Sequence, residues 1–147
     1  VSEKTSMEIK AMYKVIGELE SLGDSGEAIS RILSRRNIHN KTFDVDSIKK
    51  LNQMVDLVEQ AYDVMIDNLE AAFYGKLEEI SNAYAAEDHI NTLRNNLRDE
   101  AIERLDSNEK TYQSSVYFMD IVSELERMGD FMINISQSLQ RGYSIAK

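Results

Sequence analysis

Two short acidic turns carry the residue types from which chemistry could be built, and they are nearly the same turn. Glu18-Leu19-Glu20-Ser21-Leu22-Gly23-Asp24 returns 106 residues later as Glu124-Leu125-Glu126-Arg127-Met128-Gly129-Asp130, with Ile29-Ser30 matched by Ile135-Ser136. Each copy holds a Glu-x-x-x-Asp, Glu20/Asp24 and Glu126/Asp130. On a helix, side chains four residues apart meet on one face, so each pair offers oxygen ligands to a single cation. Oxygen-only sets favour hard ions such as Mg²⁺, Mn²⁺, Ca²⁺ or iron.

Gly23 and Gly129 stand at matched positions inside both copies. A glycine inside a helix costs roughly 1 kcal/mol relative to alanine, and close approach of two backbones is the simplest reason to keep one twice. The sequence therefore predicts that the two helices cross near these glycines and bring four carboxylates to the border of an apolar seam. Like charges gathered there raise their pKa values, find donors or hold a cation. The plainer reading is a pair of solvated carboxylates at each helix edge, kept by an old duplication.

The elements that must position these turns are helices. The 147 residues contain no proline, no cysteine and only six glycines, which favours an all-α chain and leaves neither a disulfide nor a thiolate site. Hydrophobic periodicity predicts an antiparallel bundle of four long helices over residues 2–37, 46–74, 77–105 and 108–142, with a linker at 38–45 and a polar turn at Asp106-Ser107-Asn108, all in a single domain spanning 1–147. In the first helix Met12, Ile16, Leu19, Leu22, Ile29 and Leu33 make one apolar arc. The last helix repeats it with Phe118, Val122, Leu125, Met128, Met132, Ile135 and Leu139. Asp46 or Ser47 is placed to cap the second helix, and Arg31, Arg35 and Arg36 suit the negative end of the first.

Several function classes are disfavoured. The net charge of −9 opposes nucleic acid and anionic membranes, both of which demand Lys and Arg. Di-iron bundle chemistry needs Glu-x-x-His on two helices, yet Arg36 and Ala86 stand three residues before the only histidines, His39 and His89. No nucleophile sits in a catalytic context and no glycine-rich phosphate loop is present. His89, next to Asp88 and Glu87 and on the most polar helix, reads as a surface residue rather than an acid or base.

Leu125-Glu126-Arg127-Met128-Gly129-Asp130 with Asn134-Ile135 resembles the signature of the PhoU family of phosphate-uptake regulators. Ile90-Asn91-x-Leu93-Arg94-x-x-Leu97-Arg98 resembles the PhoU-like domains at the C-terminus of bacterial sodium/phosphate cotransporters. The resemblance implies a three-helix repeat preceded by the last helix of another repeat. It also implies a non-catalytic regulatory role and metal ligation at Glu20, Asp24, Glu126 and Asp130, with iron, Mg, Mn, Zn and Ca all open as the ion. Two departures bear on the metal: Ser25 and Phe131 stand where the family often has histidine, and Asn91 where it usually has aspartate.

On this reading the chain is a soluble part of a membrane protein on the cytoplasmic side of the inner membrane. It docks on the transport unit of its own polypeptide or on a signalling protein, with a homodimer as a further way to cover lost apolar surface. The opening Val1, in place of methionine, suggests a fragment or processed chain. The rival is a structural or signalling bundle that binds only protein, without metal.

Overall fold

A computed structural model describes residues 1–39, 43–104 and 109–145, with the side chains of residues 109–111 left out. The expected polar turn at residues 106–108, the middle of the expected 38–45 linker and Leu105 lie outside the described residues. Four helices account for the rest: α1 (Glu3–Ile38), α2 (Val45–Phe73), α3 (Ser81–Glu103) and α4 (Glu109–Tyr143). The all-helical bundle read from periodicity is the observed architecture.

Local chemistry fixes most helix ends. Ser2 caps α1 by accepting from the Thr5 amide at 3.1 Å. Asp44, not Asp46 or Ser47, caps α2, accepting from the Ser47 amide at 2.7 Å, a bond that also holds its carboxyl below the usual aspartate value. At the far end of α2, Gly75 adopts φ +67°. Its amide donates to Ala72 O, and the Lys76 amide to Ala71 O, the paired closure that favours glycine one residue past a helix end.

The third helix starts at Ser81 rather than residue 77. Leu77 and Ile80 are buried in a non-helical stretch, which is held by the two residues that follow α4. The Ile145 amide donates to Leu77 O at 2.9 Å and the Ser144 hydroxyl to Glu78 O at 3.1 Å. An apolar period of three fits a helical turn or this clamped strap equally well, so sequence spacing alone extended the helix too far.

Helix α4 packs against α1, α2 and α3, whereas α1, among the described residues, packs against α4 alone. The core lies between α2, α3 and α4, where Met54, Met65, Ile90, Val122, Ile135 and Leu139 are fully shielded. One polar knot crosses it: Asn68 and Asn82 exchange amide hydrogen bonds, and Asn68 also donates to the buried Ser136 hydroxyl at 3.1 Å. Satisfying these groups in place of water is what makes their burial affordable.

Helix α1 lies antiparallel to α4. Tyr143 donates to Glu8 O at 3.1 Å, and Asn134 donates to the Glu18 carboxylate at 3.4 Å. Ala11 sits at Gly142, where a methyl group would come within 2.5 Å of the Ala11 Cβ. In this antiparallel register the three contacts put Gly23 and Gly129 at the same level along the two helices.

The face α1 buries matches the expected arc in part: Met12, Leu22, Ile29 and Leu33 are partly buried against the core, Ala11, Val15, Glu18 and Ser25 are buried, and Ile16 and Leu19 are exposed. Small residues set a close approach here, so Gly142→Ala must push apart two backbones rather than rotate a side chain. It should cost about 1–3 kcal/mol, read as a lower thermal midpoint by circular dichroism.

Candidate functional site

The second acidic turn lies in the α3–α4 interface. Gly129 is buried against Ile90 of α3: a Cβ added there would stand 3.0 Å from the Ile90 terminal methyl. One turn away, Arg94 of α3 pairs with Glu126 at 3.0 Å, with both side chains partly buried. Ile90 and Arg94 thus read Gly129 and Glu126 as a socket and a charge, in antiparallel register.

Asp130 completes the turn. Burial pushes its carboxyl above the ordinary aspartate value, and nearby Arg94 and Arg127 offset only part of that. Across the interface Glu87 is raised for the same first reason, burial, and then by the negative charges of Asp130, Glu126 and Asp88. Glu126, Asp130 and Glu87, from two helices, are therefore close enough to feel one another, and Arg94 pairs with Glu126 and also acts on Asp130. Glu87 carries no local mark of membership in this group, and Arg94, though part of the run Ile90 to Arg98, had no partner assigned; only packing brings them to Asp130 and Glu126.

The first turn has no such surroundings. Glu20 and Asp24 are exposed on α1, and a Cβ at Gly23 would meet nothing within 4 Å. Gly23 and Gly129 do not thin a contact between α1 and α4 as expected. They share a level along the two helices, but each points sideways from the α1–α4 seam, Gly129 into α3 and Gly23 into open space. The seam itself takes Glu18, buried, paired with Lys14 at 2.9 Å and bonded to Asn134. Glu18 was visible as an identity in the repeat with Glu124, and was passed over because it lies on the other side of the helix from Glu20.

The four carboxylates, Glu20, Asp24, Glu126 and Asp130, consequently do not converge on one ion. Among the described residues no three or more Asp, Glu or His side chains are grouped so as to hold a metal. Glu126 already has Arg94 for its charge. As they are placed, these residues do not fit a shared metal centre. Elsewhere Glu59, Asp63 and Asp67, at successive four-residue steps of α2, are solvent-exposed, as is His89 of α3, the surface residue it was expected to be.

A model of the PhoU domain family matches residues 51–139, which fall within α2, α3 and α4. No curated protein and no solved structure matches the chain.

Three outcomes follow from this geometry. Gly23→Ala should raise stability by about 1 kcal/mol through helix propensity alone, whereas Gly129→Ala, which must displace Ile90, should fall short of that gain; chemical denaturation of both compares them. Because the folded state raises the carboxyl of Asp130, its contribution to stability is full below the ordinary aspartate value and is lost as pH rises through the raised one. Asp130→Asn should accordingly be as stable as the wild type or more so at neutral pH, with the difference closing in acid, as followed by midpoints across a pH series. A cation held only by the folded chain raises the midpoint; with Arg94 on Glu126, Mg²⁺, Mn²⁺, Ca²⁺, Zn²⁺ or ferrous iron should shift the wild type no more than a variant with all four carboxylates changed to Ala. A shift confined to the wild type would reinstate the ion cage.

Proposed function

Since the chain belongs to the PhoU domain family, we propose that it is a non-catalytic regulatory domain of phosphate uptake, the cytoplasmic C-terminal part of a sodium/phosphate cotransporter. The observation that carries this is the family match over residues 51–139, which coincides with the α2–α4 unit sharing the buried core. Support for the cotransporter comes from the run Ile90 to Arg98. Ile90 and Leu97 are buried and Arg94 grips Glu126, so the run is the strip by which α3 seats on α4. No helix among the described residues is long and apolar enough to cross a membrane, and transport itself is assigned to another part of the polypeptide.

The domain acts by docking. The backbones of α1 and α2 stand apart, and between them runs an open apolar groove of about 640 Å³ over Leu125, Met128 and Met132 of α4, with Glu59 and Asp63 on its α2 side. A groove of this form takes an apolar helix face. The pairing of Glu126 with Arg94 favours the version of this function in which the domain binds protein and no metal.

The test is made in the parent transporter, as phosphate uptake by cells that are phosphate-starved or phosphate-replete. Removing the domain should leave sodium-driven uptake in starved cells intact and abolish its down-regulation in replete cells. Uptake that responds to phosphate supply equally with and without the domain would refute the proposal.

A further inference from the structure

A recess beside the α1–α4 seam collects cations. Between the N-terminal half of α1 and the last turns of α4 lies an open cavity of about 280 Å³, lined by Met7, Lys10, Ala11 and Lys14 from α1 and by Ser138 and Arg141 from α4. Among the described residues no carboxylate lines it, although the chain carries 26 acidic residues against 17 lysines and arginines.

Two of the three cations are held from outside the cavity. Lys14 pairs at 2.9 Å with Glu18, whose carboxylate also accepts from Asn134. Arg141 donates at 3.4 Å to the hydroxyl of buried Ser138, which itself donates to Asn134 O. Among the described residues neither Lys10 nor Arg141 is in an ion pair. Glu18 cancels Lys14, so the wall keeps an excess of positive charge from Lys10 and Arg141. Glu8, elsewhere around α1, acts on Tyr143 instead.

The plainer reading is three solvated side chains, with Arg141 suited to the negative end of α4. That accounts for Arg141 alone. Lys10 and Lys14 are like charges one turn apart, an arrangement that weakens a helix, and they lie far from the end of α1 that favours cations. The cavity lined by Lys50 and Arg104 is different, because Asp46 and Glu100 already pair with the cations there.

We infer that the recess binds a free phosphate ion, held by Lys10, Lys14 and Arg141 with the Ser138 hydroxyl at its floor. The planar fork of arginine takes two oxygens at once, and each ammonium adds a point charge. The bound ion ties α1 to α4, the one helix with which α1, among the described residues, is in close backbone contact. A lipid headgroup is the poorer occupant: a net charge of −9 repels an anionic membrane as a whole, whereas a cationic recess focuses its field on a single ion. The binding stands on the cavity; its use as a signal of phosphate supply rests on the role proposed above.

The thermal midpoint of the intact chain is followed against sodium phosphate at fixed ionic strength, with sodium chloride making up the balance. Phosphate also stabilises folded chains by exclusion from their surface, so the titration is repeated on the double variant Lys10→Gln/Arg141→Gln, whose two side chains are exposed. The wild type should rise along a saturating curve, and the double variant should keep only a shallow linear rise. Arg141→Lys, which retains the charge but not the fork, should need several-fold more phosphate for the same rise. Equal linear rises in wild type and double variant overturn the inference, as does a saturating curve that survives the double substitution. So does flotation with phosphatidylglycerol vesicles that the double variant loses, without a saturating response to phosphate, which means that a headgroup is the ligand. These measurements use the isolated chain, so their failure leaves the regulatory role, tested by uptake in cells, standing.

Discussion

The shared element of this molecule is α4: α1, α2 and α3 all pack on it, α2 and α3 pack on each other as well, and among the described residues α1 comes into close backbone contact with no helix but α4. A helix with one neighbour on each of three sides must spend nearly its whole circumference on packing. That accounts for the buried serines of α4, Ser136 and Ser138: small polar side chains satisfied within the fold, Ser136 by Asn68 and Ser138 by the Asn134 carbonyl, allow close approach where larger apolar ones would hold the helices apart.

The same constraint gives the acidic turn on α4 its character. A carboxylate beside a packed interface loses hydration, and the loss must be met by a cation or by protonation. Glu126 meets it with Arg94. Asp130 and Glu87 meet it incompletely and have raised pKa values. The spacing that could serve a metal thus serves helix packing here, because an arginine arriving from α3 neutralises the glutamate before any ion is needed.

Duplication explains why an identical turn behaves differently on α1. Glu20, Gly23 and Asp24 reproduce the local chemistry of Glu126, Gly129 and Asp130, but among the described residues no side chain packs on Gly23 as Ile90 packs on Gly129. The two glycines share a level in the antiparallel α1–α4 pair, where Glu18 and Ala11 make contacts beside the partly buried Met12, Leu22, Ile29 and Leu33.

How much could be read from the chain depended on the range of the physics involved. Helical content, the number of helices, the duplicated turn and the residues that line α4 follow from periodicity and composition, which act over one or two turns of backbone. Capping moved by two residues, from Asp46 to Asp44, because several polar side chains near the start of α2 could each reach a free amide and only the path of the incoming chain chose among them. The strap at residues 76–80 read as helix because its apolar spacing is the same in either form. Which side of α1 would be buried, what stands opposite Glu126, and whether the four carboxylates share a space were decided by the tertiary structure alone. A helix records in its own sequence that it has an apolar face, but the neighbour that covers that face, or its absence, is set by residues far away in the chain.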